Sequence, residues 1–150
     1  MDINEHTTPN KLERYSFIWS EVRLVFAAMA LFLGGYPLII KLFSNPAFYR
    51  TVGVFLTLSW LISGLASVYL LYRWNKSGRK VFSGNDKKDL GAFFVMIVSG
   101  INLGLVVVFG QNIGMSILSN RLVFVIVGLL YLASAYHLYK RWKANSQKVF

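Results

Sequence analysis

Few residues in this chain have types and spacings that could do chemistry. Its 150 residues include no cysteine, two histidines and six acids. Without cysteine there is no disulfide framework, no thiolate zinc site and no cysteine nucleophile. His6 and His137 are far apart in sequence, whereas a structural metal site takes three or four ligands. No glycine-rich phosphate loop opens a helix, and no Ser/His/Asp set is visible. The expectation is therefore a protein that is not an enzyme, with no cofactor and no metal. The polar residues worth singling out lie in apolar surroundings. Asn102 sits between Gly100 and Gly104, a Gly-x-x-x-Gly spacing that puts both glycines on one helix face and admits a second helix. Ser59, Ser63 and Ser67 recur every fourth residue and form one small-residue stripe. These six are read first as helix-packing positions, with a ligand contact near Asn102 as the minority reading.

The elements that position them follow from hydropathy. The chain is 55% hydrophobic and only 15% charged, with a mean hydropathy of +0.51; soluble domains carry about 25% charged residues. Four blocks are free of charge: Leu24 to Ile40, Thr51 to Tyr72, Leu90 to Gly110 and Leu122 to Tyr139. Each meets the roughly 17–25 residues needed to cross a bilayer core of about 30 Å. A soluble bundle helix would show a polar face, but the stretch from Gly91 to Gly110 is apolar on every side. The expected fold is thus all-α and integral to the membrane, with four transmembrane helices. All six acids fall outside the four blocks. Proton-coupled carriers use an acid inside a span, which argues against the small drug-efflux transporters of similar size.

Charge sets the orientation. With four spans, the N-terminus, the middle connection and the C-terminus share one side. Of the 16 Lys and Arg, all but Lys41, Arg50 and Arg121 fall on it. By the positive-inside rule both termini are cytoplasmic, in a multi-pass protein of the cell membrane. The net charge of +10 has no recognition helix or aromatic–basic alternation beside it, so nucleic acid is not the expected partner. The expected partners are the lipid bilayer, anionic headgroups at the basic cytoplasmic loops, and copies of itself or a larger membrane complex. Arg73 with Trp74 and Arg141 with Trp142 stand at span ends, where aromatic rings and cations anchor a helix at the interface.

The start of the chain differs in character. Asn10 and Glu13 have the spacing of a capping box. Leu12, Tyr15, Trp19 and Val22 then recur at three- to four-residue spacing. This fits either an amphipathic helix lying at the membrane surface or an extension of the first span. Further on, Pro37 is expected to kink the outer end of that span, and Lys41 to snorkel from it. The organisation read from these signals is a tail and interfacial helix over 1–23, a first transmembrane hairpin over 24–82, and a second over 83–150 with a basic tail.

The two hairpins resemble each other. Ala66 to Arg73 (ASVYLLYR) matches Ala133 to Lys140 (ASAYHLYK), and after one inserted residue Trp74 matches Trp142. Lys80-Val81-Phe82 then matches Lys148-Val149-Phe150. Two spans per unit keep both copies in one orientation, so a duplicated hairpin implies a pseudo-two-fold axis along the membrane normal. In the second hairpin, Ser99-Gly100-Ile101-Asn102-Leu103-Gly104-Leu105-Val106, Phe109, Gln111-Asn112, Asn120-Arg121 and Ile126 to Leu132 resemble the YuzA-like family of small two-span membrane proteins. Leu103 stands where that family usually has Trp. The resemblance covers roughly residues 95–136 and implies a topology but no activity. The expected role is a non-enzymatic structural or accessory subunit that packs through its Gly, Ser and Ala faces. The alternatives are an oligomeric, holin-like pore and a small transporter with a site near Asn102.

Overall fold

The structure is a computed structural model that describes residues 8–35, 37, 39–40, 48–111 and 120–150. Among these the chain forms four long α-helices and no strand. They are α1 (Pro9–Phe32), α2 (Tyr49–Lys76), α3 (Lys87–Phe109) and α4 (Arg121–Ala144). Helices of 23 to 28 residues run about 35–42 Å at 1.5 Å per residue. Each is long and apolar enough to cross a membrane. The fold is all-α with four candidate spans, as the apolar blocks predict.

Local chemistry sets the helix ends. Pro9 opens α1, where its missing N–H costs nothing. The Asp86 side chain accepts from Lys88 N at 2.8 Å, and that of Asn120 from Leu122 N at 2.9 Å, capping α3 and α4. Gly110 closes α3 in the left-handed region, at φ 71°. The first span departs from the charge-free block. It starts fifteen residues before Leu24, at Pro9, and stops at Phe32. Gly34 and Gly35 follow at φ 87° and 85°, which ends the helix before Pro37 can kink it. The expected capping box is absent: Thr8 is the N-cap residue, and Glu13 turns away to Arg73. The amphipathic segment is continuous with the span: Glu13, Glu21 and Arg23 are buried in the bundle, and Glu13 and Arg23 are bound to α2 and α3. The expectation for Lys41 lies outside the described residues.

The helices form a four-membered bundle in which α1 and α3 each contact both α2 and α4. At one end lie the start of α1, the end of α2, the start of α3 and the end of α4. There Phe17, Phe82, Phe93, Trp142, Val81 and Val149 form one buried apolar cluster. At the other end Phe32 covers Gly128, leaving no room for a Cβ. Between α2 and α3 the backbones touch: a Cβ on Gly64 would lie 2.9 Å from the Gly104 Cα.

The ends of α2 and α4 make matching contacts. Ser77 N donates to Arg73 O and Arg79 N to Trp74 O; Asn145 N donates to Arg141 O and Gln147 N to Trp142 O. Arg79 and Gln147 have left-handed φ of 62° and 61°. Beyond them Val81 and Val149 are both buried, and Phe82 N donates to Val149 O at 2.7 Å. These equivalences pair Arg73 with Arg141, one residue on from the Arg73–Lys140 match that sequence suggests. Burial follows the same register, Leu70 with Leu138 and Ser67 with Ala135. An insertion inside a continuous helix would turn everything before it by about 100°; the buried face excludes that slip.

Candidate functional site

The buried ionisable side chains among the described residues lie in two layers. The first is at the Phe17–Trp142 end. Glu13, on the second turn of α1, is buried and accepts from Arg73 Nε at 3.0 Å and Nη2 at 2.8 Å. Its other oxygen accepts from Phe150 N at 3.2 Å. Asp89, at the start of α3, is wholly buried. Its carboxylate takes Arg141 Nε at 2.9–3.0 Å, Arg141 Nη2 at 2.8 Å and His137 Nε2 at 2.7 Å. One acid on the first helix of each hairpin therefore holds one arginine on the second. The aromatic packing repeats in parallel. Phe17 meets Phe82 edge-on and Trp142 at 5.6 Å; Phe93 meets Phe150 edge-on and Trp74 at 6.4 Å.

The second layer is eight residues deeper along α1, about 12 Å at 1.5 Å per residue. Arg23 is buried, donating from Nη1 to Ser99 Oγ at 2.9 Å and from Nη2 to the Met96 carbonyl at 2.8 Å. Glu21 is buried two residues earlier, with Oε1 lacking any hydrogen-bond partner. It lies at the edge of an otherwise apolar groove between α1 and α4, lined by Val22, Val25, Leu132, Ala135, Tyr136 and Tyr139. The window of α1 long enough to cross the membrane therefore includes an acid and an arginine. This corrects the expectation that every acid lies outside the spans. The charge-free block that begins at Leu24 does not show it, because hydropathy alone places the start of the span after Arg23.

The residues singled out from sequence fall into three groups. Gly100, Gly104, Ser63 and Ser67 meet at the α2–α3 contact, where a Cβ on Gly100 would overlap Ser67 Oγ. Ser63 Oγ donates to the Ser59 carbonyl at 2.6 Å and accepts from Trp19 Nε1 at 3.0 Å. These small residues thus pack this chain's own helices together. Asn102 and Ser59 are half-buried, and Asn102 has a contact of its own. The four interface residues are turned toward the bundle. Arg73 and Arg141 hold the two acids, Trp142 is 6% exposed, and Trp74 packs on Phe93 and Phe94.

Hydropathy does not single out Glu13 and Asp89, although the sequence carries a signal for them. Each precedes a phenylalanine by four residues, and each hairpin ends its second helix in Arg-Trp. Among the described residues no group of three His, Asp or Glu is placed to hold a metal ion. No protein-family model, curated protein or solved structure matches this chain.

Proposed function

We propose that this is a non-enzymatic, multi-pass protein of the cell membrane that serves as a structural or accessory subunit, alone as an oligomer or within a larger membrane complex. One observation carries the reading. The charged side chains of the basal layer, the groups best suited to acid–base work, are engaged with one another across helices. Asp89 and His137 form a pair that could poise a base, but both Asp89 oxygens are bound by Arg141, which fixes the pair as a joint between α3 and α4.

Both termini and the connection between α2 and α3 lie on the cytoplasmic side in this reading. The contacts that bring Glu13, Arg73, Asp89 and Arg141 to one end of the bundle support it, as does the bias of Lys and Arg toward that end. Lys76, Lys87, Lys88 and Lys143 at the same end are placed to meet anionic headgroups. The two hairpins are read as a tandem duplication, supported by the matched Glu13–Arg73 and Asp89–Arg141 pairs and the matched helix ends. The likeness of the second hairpin to the YuzA-like family agrees with the topology and adds no activity.

The small-residue faces are already used within the chain. Lateral assembly therefore falls to the large apolar side chains that face outward, among them Phe55, Leu65, Val68 and Leu129. Purification in native lipid with chemical cross-linking tests this. The expected result is a discrete species larger than one chain, with cross-links from α2 and α4 outer faces. A monodisperse single chain at native expression level, with no co-purifying protein, would overturn it.

A further inference from the structure

The groove between α1 and α4 has a composition that calls for a ligand of its own, independently of any structural role. Its walls are Val22, Val25, Leu132 and Ala135, with Tyr136 toward the basal end, and Glu21 is its one acidic lining residue. The groove is an open cleft of about 460 Å³ along the outer face of the two helices. Glu21 is 9% exposed, and its Oε1 has no hydrogen-bond partner. A buried carboxyl oxygen left without a partner is costly, and an ionisable residue inside a span marks a function by default.

The fold does not require an acid there. The matched acids Glu13 and Asp89 and the matched rings Phe17 and Phe93 set α1 against α3, so Glu21 corresponds to Ile97, which is 1% exposed. At the corresponding α2–α3 contact Gly64 and Gly104 let the backbones touch. Their counterparts, Leu132 and Ala28, hold α1 and α4 apart. The charge of Arg23 acts on Glu21, but its two Nη groups are turned to Ser99 and the Met96 carbonyl on α3, around the helix from α4, so its guanidinium leaves the groove open.

The geometry points to a binding site for a lipophilic cation, entered from the lipid, with Glu21 as its counter-charge. The apolar walls cover the body of the ligand. The Tyr136 ring offers a face to its charge, an interaction favoured over an exposed aromatic ring in a desolvated setting. Lys143 already lies 4.8 Å from the Tyr139 ring centre, which leaves Tyr136 as the aromatic contact.

The test uses the full chain in phosphatidylcholine nanodiscs, titrated with tetraphenylphosphonium by equilibrium dialysis, with empty discs subtracted. Tetraphenylborate, of the same shape and opposite charge, is the control. Saturable uptake of the cation near one per chain, without saturable uptake of the anion, is expected. Glu21→Gln and, separately, Leu132→Trp, which fills the groove with the acid intact, should each weaken binding at least tenfold. Each is compared with the parent by elution volume and thermal unfolding, and if Glu21→Gln fails to fold, Leu132→Trp decides. Uptake equal to empty discs, equal binding of both ions, or saturable binding unchanged in the folded variants would overturn the site. None of these outcomes alters the cross-linking result on which assembly rests.

Discussion

Asp89 holds Arg141 with both carboxylate oxygens, at 2.8 to 3.0 Å, whereas Glu13, in the other hairpin, holds Arg73 with Oε2 alone, at 2.8 and 3.0 Å, and leaves Oε1 to Phe150 N. Each pair ties the start of one helix to the end of the next. Between them, Val81 and Val149 are buried together and Phe82 N binds the Val149 carbonyl. The basal end of the bundle is thus closed by two ionic joints around one apolar plug.

Removing a joint should loosen that end. Asp89→Ala leaves His137 and Arg141 without their acceptor. Arg141 is 40% exposed, so water screens part of the loss, and the cost is expected at about 2 kcal/mol. Thermal unfolding in detergent micelles measures it. The exchange Asp89→Arg with Arg141→Asp should recover less than half, because the acid then sits at the wrong end of a helix dipole.

The α2–α3 contact tolerates no added methyl. Gly104→Ala and Gly100→Ala are each expected to destabilise by about 1–3 kcal/mol, the usual cost of overpacking. Ser67→Gly should relieve Gly100→Ala, since the added Cβ overlaps Ser67 Oγ. Gly91 is exposed in the same helix with nothing within 4 Å of a new Cβ. Gly91→Ala should stabilise, by about 0.5–1 kcal/mol. A melting-temperature series over these variants checks both signs at once.

Arg23 depends on α3. Ser99→Ala removes one of its two acceptors and is expected to cost about 1–3 kcal/mol, as for a buried charged donor left short. Arg23→Met keeps the length of the side chain without its charge. It also leaves Ser99 and the Met96 carbonyl without their donor and buried Glu21 without the neighbouring cation, so Arg23→Met is expected to be less stable than Ser99→Ala, by about 1–3 kcal/mol more. Chemical denaturation of the two variants distinguishes them.

The architecture was readable from sequence because lipid imposes one strong rule. A helix that buries no polar face reads as a charge-free block, and Thr51–Tyr72, Leu90–Gly110 and Leu122–Tyr139 each fall inside one observed helix apart from the closing Gly110. The first block failed at both ends for separate reasons. Glu13, Glu21 and Arg23 are polar residues turned inward, and hydropathy does not say which way a side chain faces. Gly34 and Gly35 are apolar by count, yet they take the left-handed backbone that stops a helix. The small-residue positions Gly100, Gly104, Ser63 and Ser67 were readable as packing sites, but not which helices they would join. The acidic halves of the two joints lay beyond hydropathy because each partner is more than fifty residues away.

The four-span topology with one shared flank is tested most directly by cysteine accessibility in this cysteine-free chain. Single variants Ser83→Cys, Ser146→Cys and Asn120→Cys are made in cells and treated with a membrane-impermeant maleimide before and after lysis. Labelling of Asn120→Cys in intact cells, with Ser83→Cys and Ser146→Cys labelled only after lysis, is the expected result. Labelling of Ser83→Cys and Ser146→Cys from opposite sides of the membrane would contradict the account.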